Sequence, residues 1–482
     1  MRLVDLFEAE TPEDAAELMV AGLTADSRAV GPGYLFAALA GAAAHGRDFV
    51  AQAVEKGAVA ILSAGDLGRD PGVPHVISAN PRQSLATAAA RFYPHQPQTV
   101  AAVTGTNGKS STVDFLRQIW AAAGHPAASM GTLGVISPQG VKDLGHTTAD
   151  PIAIHAALQD LAIAGVTHVA MEASSHGLHQ HRLDGVRLAV GAFTNLTQDH
   201  LDYHGTMQAY REAKQLLWRR LSPGQPAIIN ADAAEAENFE AAAKTQGLAV
   251  MTCGWRAGPE GLKIVEIQPR PAGQTLDLRW RGQVHRIELP LIGEFQALNA
   301  VTAAAMALAV GTDIEAVLKG LAALKPVKGR MEHVGATRSG AHVFVDYAHT
   351  PDGLDVLLRA ARPHAPGRIV LVFGCGGDRD RDKRPKMGAV AARHADLVIV
   401  TDDNPRTENP AAIRAQILAG AEGATEVGDR SRAIAQAIGE LQPGDALLIA
   451  GKGHETGQII GDQVFPFSDQ DEAVKALEAA HA

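Results

Sequence analysis

Cysteine is nearly absent. Cys253 and Cys375 are the two in 482 residues, too few and too far apart for a disulfide framework or a thiolate metal site. There is no excess of basic charge. Lys and Arg number 43 against 53 Asp and Glu, a formal net charge of −10. That argues against a general nucleic-acid or membrane-surface binder but leaves room for a local basic pocket. No apolar run reaches membrane-spanning length, and Met1-Arg2-Leu3-Val4-Asp5 does not open a signal-peptide core. No repeat or low-complexity tract stands out. These absences lead to the expectation of a cytoplasmic, reducing setting with no membrane insertion and no nucleic-acid partner. A monomer is expected. What remains is 46% apolar residues, enough for ordinary globular cores, in a chain long enough for two to four domains.

Three blocks are expected, all α/β: residues 1–95, 96–327 and 328–482. The first is a small mixed unit containing Asp26-Ser27-Arg28 and ending near Tyr93-Pro94-His95-Gln96-Pro97, where the prolines suit a linker. The second opens with a buried-type strand at 99–104. A helix follows with Val113, Leu116, Ile119 and Trp120 on one face and Gly124 as its stop. Further strands are predicted at 167–171 and 188–193. The runs 275–280 and 284–289 read as an antiparallel hairpin on a mainly parallel sheet. In the third block, apolar strands at 343–345, 369–373, 397–400 and 447–450 each deliver a polar loop marked by glycine or proline. Open α/β sheets bind ligands at such strand ends, so a Rossmann-like domain with a shared cleft is predicted.

Gly105-Thr106-Asn107-Gly108-Lys109-Ser110 lies between the predicted strand and helix. That geometry presents backbone N–H groups and a helix N-terminus to phosphate. Lys109 can reach the β- and γ-phosphates, and Ser110 can place its hydroxyl on Mg²⁺; ATP is the expected cofactor. The usual longer motif carries a glycine where this chain has Val103, so the loop is a short variant. Glu172 and His200 follow strands, where a carboxylate and an imidazole suit a divalent cation bridging ATP oxygens. Periodicity alone makes Lys214 a solvent-facing lysine on an amphipathic helix.

Together these motifs resemble the Mur ligases, the ATP-dependent amide-forming enzymes of bacterial cell-wall precursor synthesis. The short glycine loop is that family's own form. Glu172-Ala173-Ser174-Ser175-His176, Asp199-His200-Leu201-Asp202-Tyr203-His204-Gly205, Gly329-Arg330 and Asp346-Tyr347-Ala348-His349 extend the likeness over nearly the whole chain. The resemblance implies an N-terminal UDP-sugar-binding domain, a central ATP-binding domain and a C-terminal amino-acid-binding domain. It implies ATP contacts at Gly105 to Ser111 (Gly105, Thr106, Asn107, Gly108, Lys109, Ser110, Ser111) and at Asn299, Arg330, Asp346 and His349. Gln296-Ala297-Leu298 before Asn299 departs from the family's commoner Asn-Val-Tyr. A UDP-N-acetylmuramoyl dipeptide falls to Ser27, Thr147, Thr148, Ser174, Gln180 and Arg182. The metal set is Ser110, Glu172, His200 and Lys214, the last as a carbamylated lysine. Lys109, Lys214 and His204 take the catalytic places, His204 as a group that assists the amine, although the residues alone do not identify a base.

Asp403-Asn404-Pro405-Arg406 matches the motif of the members that add meso-diaminopimelate, with Arg379, Gly451 and Glu455 beside it. The chemistry agrees. Diaminopimelate has a second carboxylate that lysine lacks, and a guanidinium can hold a carboxylate with two parallel hydrogen bonds. Two alternatives stay open. A ligase adding lysine, or a folate polyglutamate ligase, is argued against by Arg406 and by Asp26-Ser27-Arg28. A non-catalytic nucleotide-binding regulator has no need of Arg379, Arg406 and Glu455 in one cleft.

Overall fold

The computed structural model describes residues 1–41, 44–68 and 70–481. The chain divides into two compact units, Met1–Thr252 with Thr302–Asp313, and Cys253–Val301 with Ile314–Ala482. The first unit opens on four parallel strands in sequential order: β1 (Gly22–Thr24), β2 (Tyr34–Ala37), β3 (Ala58–Ser63) and β4 (His75–Ile77). Leu35, Leu62 and Val76 pack with Leu85 and Ala89 of the helix Pro81–Phe92. That helix starts where its sequence dictates. The Asn80 side chain accepts from Gln83 N, and Pro81 fills the first turn, where its missing N–H costs nothing.

The unit's second sheet is built around β5 (Thr99–Thr104). Its other strands are β6 (Ala127–Gly131), β7 (Gly134–Ser137), β8 (Gly140–Lys142), β9 (His168–Glu172), β10 (Leu188–Phe193) and β11 (Pro226–Asn230). The order is β11-β10-β5-β9-β6, all parallel, with β7 and β8 added antiparallel. The predicted strands at 99–104 and 188–193 coincide with β5 and β10. The third is one residue later than predicted, so Glu172 is the last residue of its strand rather than just past it. Register then does functional placing: Glu172 pairs with Val103, and Thr104 with Phe193. The helix Lys109–Ala122 buries Val113, Leu116, Ile119 and Trp120, each large side chain contributing about 1.5–3 kcal/mol. Gly124 follows its end at φ 86°, the left-handed turn glycine allows.

Strand β12 (Ala249–Gly254) carries the chain from the first unit into the second, where Cys253 and Gly254 pair parallel with β13 (Leu262–Arg270). β13 runs antiparallel to β14 (Gly273–Trp280), which runs antiparallel to β15 (Gln283–Leu289). The predicted hairpin is β14–β15. Its two-residue turn, Arg281 at φ 49° and Gly282 at φ 83°, matches strand twist as a primed turn does.

A further sheet holds β16 (Glu332–Ala336), β17 (His342–Asp346), β18 (Ile369–Phe373), β19 (Leu397–Val400), β20 (Thr425–Glu426) and β21 (Ala446–Ala450), in the order β16-β17-β21-β18-β19-β20. Only β16 is antiparallel. Phe344, Leu371 and Leu448 enter one core, while Val343, Val370 and Leu447 enter the other, the two-sided burial of a parallel sheet. A separate hairpin pairs β22 (Gly457–Ile460) with β23 (Gln463–Pro466). The fold is thus the expected three-domain α/β type, with one small parallel sheet, one mainly parallel sheet and one mostly parallel C-terminal sheet.

Candidate functional site

In the first unit, the loop after β5 is shaped by two glycines. Gly105 sits at φ 154°, and a Cβ there would collide with Thr194 Oγ1. Gly108 sits at φ 84° as the N-cap of the helix Lys109–Ala122, so the loop's N–H groups and the helix N-terminus share one end. The two residues after β10 hold the loop. Thr194 Oγ1 donates to Asn107 O at 2.6 Å, and Asn107 N donates to Asn195 Oδ1 at 2.9 Å. Lys109 Nζ donates to the carbonyls of Gly105 at 3.0 Å and Thr106 at 2.8 Å.

Ser110 Oγ donates to Glu172 Oε1 at 2.8 Å, and Thr132 N donates to the same oxygen at 2.8 Å. A hydroxyl and a carboxylate in contact beside a phosphate loop are the hard oxygen ligands Mg²⁺ prefers, so this pair fits the expected cation. His200 does not join them. It is exposed, stands 3.5 Å from Asp199 and packs edge-on to His176 at 4.9 Å. Among the described residues no hydrogen bond or ion pair joins it to Ser110 or Glu172.

Lys214 corrects the periodicity argument: it is not solvent-facing but 1% exposed. In the helix Met207–Gln215 it shares the buried stripe with Tyr210 and Ala213. Its Nζ donates to Gly105 O at 2.7 Å and lies 4.4 Å over the Tyr210 ring. Burial, reinforced by the positive charge of Lys109, pushes its amine well below the ordinary lysine range. A neutral amine is the nucleophile that carbamylation needs, so the site fits the modification.

Most of the residues expected to meet the nucleotide sugar form a chain of contacts. Thr147 and Thr132 hydroxyls meet at 3.0 Å, and Thr148 Oγ1 donates to Glu172 O at 2.9 Å. Arg182 donates to Thr148 O at 2.5 Å and to Gln180 Oε1 at 2.7 Å, and burial lowers its pKa. Ser174 Oγ caps Gly177 N. Ser27 stands apart in the first sheet's loop, donating to Gln52 Oε1 at 3.1 Å. His204 Nε2 lies 3.0 Å from Ser175 Oγ. Burial, with the His176, His179 and His200 rings and Lys214, lowers it to about 4. So weak a base is a poor acceptor for an ammonium proton.

In the second unit, Asn299 Nδ2 donates to Gln296 Oε1 at 3.2 Å, and Gln296 Nε2 donates to Arg330 O at 2.9 Å. The Arg330 guanidinium lies 4.6 Å over the Tyr347 ring, which also meets the His349 ring at 4.6 Å. Asp346 accepts from Met331 N and Ala348 N, each at 2.7 Å, while burial raises its carboxyl above the usual range. Gln296, one of the departures from the commoner pattern, therefore links two of the expected ATP contacts.

Because β17, β21, β18 and β19 lie side by side and parallel, their C-terminal loops are neighbours. Arg406 sits at φ 50°, its N–H donating to Ile459 O at 3.1 Å and its carbonyl accepting from Gly461 N at 2.8 Å. Its guanidinium donates to Gly377 O at 2.8 Å. Gly377 packs so closely that a Cβ would strike Pro405 O. Asp403 Oδ2 lies 2.7 Å from where a Cβ on Gly451 would stand, and Asn404 Nδ2 donates to Glu455 Oε2 at 2.8 Å. Arg379 is exposed and donates to Asp378 O at 3.0 Å.

Sequence reasoning missed Tyr210, Thr132, Arg384 and Lys452. Arg384 is fully buried and bonds both oxygens of Glu408, holding that carboxyl down at about 2. Glu408 in turn accepts from Asp378 N at 2.7 Å, tying the loop after β18 to the loop after β19. The signal for Lys452 was its place between Gly451 and Gly453 after an apolar strand. Thr132 carried none. Among the described residues no three His, Cys, Asp or Glu side chains stand together as a ready metal cluster. No helix among them is long and apolar enough to cross a membrane.

Residues 103–307 match the family model described as Mur ligase middle domain. Residues 329–453 match Mur ligase, glutamate ligase domain, and residues 19–101 match Mur ligase family, catalytic domain. The chain is 51% identical over 481 residues to the UDP-N-acetylmuramoyl-L-alanyl-D-glutamate–2,6-diaminopimelate ligase of Brucella melitensis biotype 1, covering 99% of this chain and 98% of that one. It is 52% identical over 484 residues to the protein of the same name from Bradyrhizobium diazoefficiens, covering 99% of each. A solved structure of a protein with that name superposes with a TM-score of 0.77 at 33% identity, covering 100% of this chain and 99% of the other.

Proposed function

Because the chain belongs to the Mur ligase family, we propose that it joins meso-2,6-diaminopimelate to UDP-N-acetylmuramoyl-L-alanyl-D-glutamate at the expense of ATP, in peptidoglycan precursor synthesis. Full-length identity near one half to relatives of that name supports the reaction. The observation that carries the choice of amino acid is Arg406, fixed at both backbone atoms at a strand end beside Asn404 and Glu455. Its guanidinium suits the distal carboxylate and Glu455 the distal ammonium.

In this proposal the γ-phosphoryl of ATP passes to the glutamate carboxylate, giving an acyl phosphate and ADP. The unprotonated amine of diaminopimelate then attacks the acyl carbon, and phosphate leaves as the amide forms. Gly105 to Ser111 cradle phosphate with backbone N–H groups, and Lys109 neutralises charge that develops during transfer. Mg²⁺ would lend charge neutralisation when bound; Ser110 and Glu172 would hold it, with a carbamylated Lys214 as a further ligand and with His200 joining only by leaving its place beside Asp199. Asn299, Arg330, Asp346 and His349 serve the nucleotide, and Ser27, Thr147, Thr148, Ser174, Gln180 and Arg182 the UDP-sugar peptide. His204, being weakly basic, serves as a hydrogen-bonding group near the reacting amine. Domain limits at 1–95, 96–327 and 328–482 and a cytoplasmic monomer belong to the same proposal.

Phosphate release from ATP, measured with the UDP-sugar dipeptide and either diaminopimelate or lysine, tests it. Release with diaminopimelate far above that with lysine is expected. No release with diaminopimelate, or equal release with both, would sink it.

A further inference from the structure

We infer that Lys452 is a positioning residue for the amino-acid end of the site, fixing which atoms of Asn404 and Glu455 face the incoming diaminopimelate. The inference rests on the proposal that these loops take diaminopimelate.

Lys452 follows β21 between Gly451 at φ 116° and Gly453 at φ 54°. Its side chain is 0% exposed, so it does not meet ligand from solvent. An ammonium has three donors, and this one has three oxygen partners. Nζ lies 3.1 Å from Asn404 Oδ1, 3.3 Å from Glu455 Oε2 and 2.6 Å from Gly457 O.

These contacts have a directional consequence. Asn404 Oδ1 also accepts from Ile459 N at 2.9 Å. Two donors at one end of an amide decide its orientation, because the NH₂ end would repel both. The Nδ2 end is therefore turned to Glu455 Oε2, at 2.8 Å. That oxygen is then engaged by both Asn404 and Lys452. Among the described residues Glu455 Oε1 accepts no hydrogen bond, and the Glu455 side chain is 33% exposed. Lys452 thus commits one carboxylate oxygen inward and leaves the other to the ligand ammonium. Without the ammonium, Asn404 Oδ1 keeps only the Ile459 N–H and Glu455 Oε2 keeps only the Asn404 amide, so the hold that turns one Glu455 oxygen inward is loosened. The alternative is a lysine that merely neutralises buried charge, whose loss would weaken the whole fold and every substrate alike.

The test is Lys452→Met, which keeps length and apolar bulk. Phosphate release gives the KM for diaminopimelate and for ATP, and a thermal melt gives stability. The KM for diaminopimelate should rise about 10- to 100-fold, the range for one charged hydrogen bond, with a much smaller change for ATP. An equal rise in both, or none, overturns the inference. A cycle with Glu455→Gln adds a readout that a structural role would not move. If Lys452 acts through Glu455, the double variant has the diaminopimelate KM of Glu455→Gln alone; independent, multiplying effects overturn the idea. Should Lys452→Met not fold, Asn404→Asp carries the test, since it keeps Oδ1 for Lys452 but sets an oxygen against Glu455. A wild-type diaminopimelate KM in that variant overturns the inference. Wild-type protein that releases no phosphate with diaminopimelate refutes the parent proposal instead, and the same assay's control shows it.

Discussion

Lys214 in the first unit is 1% exposed and Lys452 in the second 0%, yet the two are satisfied in opposite ways. Lys214 has a backbone carbonyl, an aromatic face and another lysine for company. Lys452 has a carboxylate and an amide oxygen. Two other buried cations of the second unit are likewise matched by carboxylates: Arg384 by Glu408, and Arg430 by Asp469. A buried cation without an anion is driven to lose its proton; one with an anion is locked in place. The first arrangement suits a site that receives negative charge from outside, as phosphates or a carbamate. The second suits a zwitterion, whose two ends need both signs already in position.

The contrast can be broken first at the phosphate loop. Lys109→Ala should cut phosphate release by about 10³-fold, the lower range for losing a transition-state cation in phosphoryl transfer, and Lys214→Arg by about 10²-fold. Lys214→Arg is the sharper probe, because it restores a buried cation but cannot be carbamylated. Wild-type turnover in that variant would end the proposed role for the carbamate. In the second unit, Arg384→Met removes the buried guanidinium that bonds both Glu408 oxygens and leaves that carboxylate to Arg381 and Asp378 N; a lower urea midpoint is expected. Arg406→Ala should raise the KM for diaminopimelate by about 10- to 100-fold, one charged hydrogen-bond pair, with little change for ATP. The smallest effect concerns pH. His204 is held down to about 4 from 6.5, so between those values the unfolded chain binds a proton that the folded chain refuses. Stability is therefore complete above that window and falls as pH falls through it. His204→Gln should make this slope shallower when urea midpoints are compared at the two ends of the window, the remainder belonging to groups such as His168, which burial also lowers to about 4. An unchanged slope would place the titration elsewhere.

Much of this was legible in the sequence wherever a local pattern and its physical cause coincide. The strand, glycine loop and helix from 99 to 122 follow from apolar runs, two glycines and helical spacing. The strand-end loops of the second unit follow from four short apolar runs. Lys214 shows where local pattern misleads. Its pattern set it toward solvent, yet in the folded helix it shares the buried stripe with Tyr210 and Ala213, because Gly105 O from another part of the chain meets its Nζ. Lys452 was overlooked for the same reason: its partners at 404 and 457 meet it only in the folded molecule. Glu172 and His200 were both expected just past strands, but that placement alone did not say that Glu172 would bond Ser110 while His200 would stand by Asp199.

The hairpin β22–β23 grips the backbone of Arg406 at Ile459 and Gly461, and this bears on how such a chain can change its choice of substrate. The recognition loop is not a detachable cassette. Grafting 402–408 into a relative with a different hairpin would deliver the arginine but not its two anchors or its left-handed backbone. A transplant of specificity has to move 402–408 and 457–466 together, so in inheritance as in engineering the two segments should travel as one trait.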